Sequence, residues 1–224
     1  MAAEMKRVIK KPAAKKKKPA AKAVDLRKER KALYTARAGK PTIVDAGTTQ
    51  IIAVDGEGHP SQSTPSFEDA IRAVYYIAFG MKFGRKKAGQ GPDFAVPNVE
   101  AMWWVKGNQP MTAATSFADW RWTAFIAVPD FLQKSDLAAA RKAASKEAPP
   151  LAKKVALRRL KEGKSVQLLH VGPYDQEGPT VEKIHAFAAA NGLKVRGRHH
   201  EIYLSDPAKT APEKLKTILR FGVK

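Results

Sequence analysis

The chain has 224 residues, 44% of them hydrophobic, a net charge of +20 and no cysteine. There is enough apolar material for a buried core, and the missing thiols exclude disulfides, thiolate nucleophiles and Cys-based zinc sites. No apolar run approaches the ~20 residues of a membrane span and the basic N-terminus lacks a secretory h-region, so the expectation is a cytoplasmic protein with no membrane partner.

Residues 1–22, MAAEMKRVIKKPAAKKKKPAAK, hold nine Lys/Arg and one Glu. So little of this segment can be buried that a disordered basic tail is expected over residues 1–24. Such a tail binds nucleic acid and other polyanions non-specifically through counterion release, or it serves as a solubilising arm. No helix-turn-helix or zinc-finger pattern accompanies it to read a sequence.

Residues 25–224 read as one domain. After a short helical pattern and a Gly-Lys-Pro stop, TTQIIAVDGEG (48–58) predicts a strand. SFEDAIRAVYYIAFGMK (66–82) predicts a helix: Ser66 suits the N-cap, Glu68 and Asp69 suit the first turn, and Phe67, Ala70, Ile71, Val74, Tyr75, Ala78 and Met81 form one apolar stripe. GRKKAGQGPD (84–93) reads as a surface loop, and VEAMWWV (99–105) and WRWTAFIAV (120–128) as strands. Residues 134–162 hold two Ala/Lys-rich stretches, read as helical, broken by Pro149-Pro150. The order then repeats: SVQLLHVG (165–172) is a strand, GPTVEKIHAFAAANG (178–192) a helix, HEIYLS (200–205) a strand, APEKLKTI (211–218) a helical turn and LRFGV (219–223) a last strand.

Two β-α-β-β halves, about 48–128 and 165–223, predict an α+β fold: an antiparallel-rich sheet with helices on one face and a ligand cleft on the other. Alternation puts Ile202 and Leu204 on one face and Glu201, Tyr203 and Ser205 on the opposite one. If the helices cover Ile202, then Glu201 and Tyr203 face the cleft, Glu100 occupies the equivalent place in the first half, and a pseudo-twofold brings both strands to the centre. Which of Trp103 and Trp104 faces the cleft turns on a one-residue register.

Several tempting motifs fail. The glycine-rich 84–91 segment lacks the Gly-Lys-Ser/Thr ending of a phosphate loop. Asp55, Glu57 and His59 alternate with other residues, two of them glycines, and read as a turn rather than a metal site; His199 and His200 are adjacent and point oppositely from a regular strand. No nucleophile elbow is present, and nothing calls for a cofactor or a metal. What remains is a carboxylate among large rings. Enclosure would raise the pKa of Glu201, fitting it to meet a cationic or aromatic ligand or to act as a general base on water.

HVGPYDQEGPTVEKIHAFAAANGL (170–193), HHEIYLSDP (199–207), APEKLKTILR (211–220) and VEAMWW (99–104) together resemble the GyrI-like small-molecule-binding domain family. The resemblance covers roughly residues 25–224 and implies a duplicated βαββ fold, also called SHS2- or SOUL-like. Relatives are drug-sensing domains of transcription activators, an inhibitor of DNA gyrase, and stand-alone hydrolases that open the cyclopropane of spirocyclopropyl DNA-alkylating compounds. The resemblance implies Glu201 as the key glutamate with Tyr203 beside it as the catalytic pair. Trp103, Trp104, Glu100, Tyr75, Tyr174 and His170 are the expected ligand-binding set. Three functions follow: a detoxifying cyclopropyl hydrolase, a non-catalytic binder of aromatic or cationic drugs, and a tether to nucleic acid through the tail.

Overall fold

A computed structural model describes residues 22–109, 115–144 and 148–224, so most of the expected basic tail lies outside the described residues. Eight strands form one antiparallel sheet: β1 (Thr42–Asp45), β2 (Thr48–Glu57), β3 (Glu100–Val105), β4 (Trp120–Ala127), β5 (Ala156–Lys161), β6 (Lys164–Val171), β7 (Val195–Tyr203) and β8 (Lys216–Val223). The helices are α1 (Leu26–Glu29), α2 (Phe67–Lys87), α3 (Lys134–Lys142) and α4 (Gly178–Ala190). The sheet order is β1-β6-β8-β7-β3-β4-β2-β5. The β2-α2-β3-β4 and β6-α4-β7-β8 units therefore sit in mirrored order, with β7 paired to β3 at the middle. This is the duplicated α+β arrangement that the repeat predicts.

Helix α2 starts where its cap dictates. Ser66 Oγ accepts from the Asp69 N–H at 3.1 Å while the Asp69 carboxylate accepts from the Ser66 N–H at 2.9 Å, a reciprocal capping box. Its buried stripe of Phe67, Ala70, Val74, Ile77, Ala78 and Met81 packs on Ile52, Val54, Ala101, Trp103, Trp122, Ala124 and Ile126 of β2, β3 and β4. A fully buried side chain of Ile or Phe size contributes about 1.5–3 kcal/mol, so this stripe anchors the first half. Gly56 faces Trp122 directly, and a Cβ there would lie 2.0 Å from the indole, so only glycine fits. In the second half, Ile184 and Ala188 of α4 cover Val166, Leu168, Leu219 and Phe221 of β6 and β8. The two cores are distinct, and central strand β7 runs between them.

Three expectations are corrected. The second Ala/Lys-rich stretch of 134–162 is not a helix: after α3, residues 156–161 form edge strand β5 on β2, where pairing overrides helix propensity. Helix α2 runs on to Lys87, taking in the first residues of the expected loop. Asp55 and Glu57 lie at the end of β2, not in a turn, and are paired to Arg158 at 2.8 Å and Arg121 at 3.1 Å. Among the described residues no helix is long and apolar enough to cross a membrane.

Candidate functional site

Pairing fixes the faces. Ala101 lies opposite Glu201 and Trp103 opposite His199, so His199, Glu201 and Tyr203 share the face of Ala101 and Trp103, which is the face that α2 covers. Tyr203 packs against the α2 core, its ring 6.3 Å from that of Phe67. The expectation that Glu201 and Tyr203 point away from the helices is therefore wrong. They lie on the helix face, between the two cores, and Ile202, fully buried, points to the other side with Glu100.

Around Glu201 the side chains converge from β7, β3, α2 and the turn that leads into α4. His199, two residues earlier on β7, places Nε2 3.0 Å from Glu201 Oε1 and 3.4 Å from Glu177 Oε2. Glu177 sits at the N-terminus of α4, carried there by the turn at Tyr174–Gln176 and by Pro179 in the first helical turn. Glu201 is 9% and Glu177 8% exposed. Rings close the remaining sides. Trp103 Nε1 donates to the Tyr203 hydroxyl at 3.3 Å, Phe67 stacks obliquely on Trp103 at 4.7 Å, and Tyr174 meets Tyr203 edge-on at 5.7 Å. Tyr174 is 40% exposed, the most exposed ring of the cluster.

Burial and the nearby Glu201 charge push the Glu177 carboxyl up to about 7, against the His199 hydrogen bond. Burial alone would depress the His199 imidazolium. Its bonds to Glu177 and Glu201 outweigh that and raise it to about 9. Burial and the Glu201 carboxylate keep the Tyr203 phenol protonated well above its ordinary range. At neutral pH the cluster thus presents a histidine that donates, a neutral phenol and a Glu177 carboxyl that is part-protonated.

The other expected residues go elsewhere. Glu100 lies on the opposite face, bonded to His200 at 2.9 Å and Tyr34 at 3.0 Å. Trp104 also faces that side, with the Arg198 guanidinium 3.4 Å above its ring. The register question is settled: Trp103 joins Glu201 and Trp104 does not. The Tyr75 hydroxyl accepts from the Val99 N–H at 3.0 Å and braces the approach to β3. His170 binds Thr180 Oγ1 at 3.0 Å and the Pro173 carbonyl at 3.1 Å, holding the loop that carries Tyr174 and Glu177 against α4.

A profile of the GyrI-like small molecule binding domain matches residues 39–224. The chain belongs to the GyrI-like family. A crystal structure of an uncharacterised conserved protein from Listeria innocua is 34% identical, with a TM-score of 0.80 over 90% of this chain and 100% of that one. A hydrolase from Listeria innocua is 35% identical, with a TM-score of 0.78 over 91% and 100% of the two chains. No curated protein matches the chain.

Within this GyrI-like domain, sequence reasoning missed Glu177, His199 and Phe67. His199 was readable: it stands two residues before Glu201, the spacing that puts both on one face of a strand. Glu177 gave a weaker signal, a carboxylate just before the Gly-Pro start of a helix. Its inward aim depends on how α4 docks.

Proposed function

We propose that this face of β3 and β7 binds a flat aromatic small molecule and hydrolyses a strained three-membered ring in it, with Glu201 as the base. The observation that carries the reading is a nearly buried carboxylate, oriented by the His199 N–H and ringed by Trp103, Tyr203 and Tyr174. A hydrolase among the similar structures supports it. The substrate class is the spirocyclopropyl cyclohexadienone of DNA-alkylating compounds, and the outcome is detoxification. Glu201 accepts a proton from water as the water oxygen bonds to the cyclopropane CH2. The ring C–C bond breaks, its electron pair enters the dienone, and the resulting phenolate takes up a proton to become the phenol. The Tyr203 hydroxyl, held by Trp103, lies beside the carboxylate as a neutral donor. General-base assistance of this kind is worth about 10²–10⁴-fold. Glu201→Gln should therefore lose turnover of a cyclopropane substrate by about that factor, while equal turnover by both proteins would refute the role of Glu201.

A binding-only role has one observation in its favour: among the described residues His199 is the only basic side chain paired with Glu177 and Glu201, which suits a cationic aromatic guest. Calorimetry with hydrophobic cations, followed by product analysis, separates the two; tight binding with no product supports sequestration. The basic segment at residues 1–22 is read as a non-specific tether to nucleic acid. Its deletion should flatten the salt dependence of DNA binding, and an unchanged slope would reject the tether.

A further inference from the structure

The geometry points to a divalent metal site formed by Glu177, His199 and Glu201, taking a borderline ion of the Zn²⁺ class. The three residues come from two separate elements and each offers one ligand atom, all lying within 4.8 Å of one another. A tetrahedral Zn²⁺ with bonds of about 2.0–2.2 Å sets its ligand atoms roughly 3.3–3.6 Å apart. His199 Nε2 lies 3.0 Å from Glu201 Oε1 and 3.4 Å from Glu177 Oε2, so the first pair need open by only a few tenths of an ångström and the two carboxylates draw together by no more than about 1.5 Å.

Two independent observations show that this cluster lacks a partner. Glu177 Oε1 is buried with no hydrogen-bond partner among the described residues, although such a group normally costs free energy unless it is satisfied. The chain holds 41 Lys and Arg, yet among the described residues none forms a salt bridge with Glu177 or Glu201. On the opposite face the contrast is direct, because Glu162 is bonded by both Arg220 and His200. A buried pair of carboxylates with a single histidine between them is undercompensated, and a dication corrects this where one imidazolium does not. The donor set of two carboxylate oxygens and one imidazole nitrogen suits Zn²⁺, Co²⁺ or Mn²⁺ and leaves a coordination position open. There a bound water would have a lowered pKa, which is the chemistry such an ion supplies.

The inference does not rest on the proposed hydrolysis, because binding is read without any substrate. Full-length protein, stripped with EDTA and dialysed, is titrated with ZnCl₂ by calorimetry at neutral pH and with CoCl₂ by visible absorption. The expected result is one equivalent of Zn²⁺ bound with a Kd of ~10 µM or tighter, weakened roughly tenfold or more in both Glu177→Gln and His199→Ala. His59→Ala, far along the chain in the half-buried loop after β2, should bind as wild type does. With no cysteine in the chain, Co²⁺ bands of four- or five-coordinate intensity saturating at one equivalent would report the site in wild type whether or not a variant folds. Absence of one-equivalent binding to wild type, or an unchanged Kd in folded Glu177→Gln and His199→Ala, would overturn the assignment.

Discussion

Strand β7 carries two adjacent histidines into two quite different polar clusters, one on each side of the sheet. His200, 1% exposed, bridges Glu100 and Glu162 at 2.9 Å each. Arg220 then binds Glu162 at 3.4 Å and Gln167 at 2.9 Å, and its guanidinium also reaches the Leu33 carbonyl. Gln167 in turn donates to the carbonyls of Ala32 at 2.9 Å and Thr35 at 3.1 Å, so the N-terminal segment is laced down over that face. Acceptors there are met and the charges are balanced. One residue away, His199 bridges Glu201 and Glu177 with, among the described residues, no Arg in support and one carboxylate oxygen unpaired, beside the exposed Tyr174 ring. A closed, satisfied network is how a fold uses buried charge to fix one arrangement; an unsatisfied cluster beside exposed rings is how it keeps charge ready for a ligand.

The strongest way to break this comparison is to remove a member of the closed network. Arg220→Met leaves Glu162 without its guanidinium and should cost about 3–5 kcal/mol in urea unfolding, with turnover per folded molecule unchanged. A loss of under ~1 kcal/mol would mean that the network holds nothing together.

Acid probes the same face. Burial alone would raise the Glu162 carboxyl, but His200 and Arg220 bring it down to about 2, below its ordinary 4.5. Its contribution is thus complete above pH 4.5 and is lost as pH falls through about 2. That contribution amounts to about 3 kcal/mol. His200 works in the opposite sense: burial opposes its charge, Glu162 and Glu100 outweigh burial, and its raised pKa makes its contribution complete below 6.5 and lost at higher pH. Stability measured by urea unfolding should therefore fall as pH drops from 4.5 towards 2, and Glu162→Gln should flatten that fall; an unchanged slope would remove Glu162 from the account.

The smallest effect sharpens the other face. Trp103→Phe removes one neutral hydrogen bond to Tyr203 and keeps a ring against Phe67, so stability should drop by about 1 kcal/mol. Affinity for a flat aromatic ligand should fall more than it does in Trp104→Phe, whose ring lies on the far side. Equal losses in fluorescence titration would contradict the assignment of faces.

Much of the fold is legible in the sequence, because its signals are local. The stripe from Phe67 to Met81 and the Ser66 cap specify α2, and the repeated β-α-β-β order is enough to place β3 beside β7. Glu201, Tyr203, Trp103 and Tyr174 were all readable as candidates. The face was not. Alternation along β7 suggests that the apolar residues meet the helices, yet Ile202 is fully buried on the side away from them while Tyr203 packs with Phe67. A central strand buried on both sides offers no solvent face to read, so the pattern fixes which residues travel together and leaves open where they go. Glu100 was misplaced for the same reason. Glu177 was missed because its burial is created by tertiary docking of α4 and the His170 brace.

The central claim is that Glu201 serves chemistry and not the fold. It is tested most directly by measuring turnover of a spirocyclopropyl substrate and the thermal midpoint on the same preparation of Glu201→Gln. Turnover should be lost while the midpoint stays at or above that of wild type, since a buried like-charge pair has been relieved. Preserved turnover per folded molecule, with a midpoint lowered as far as in Arg220→Met, would contradict the claim and make Glu201 a structural residue.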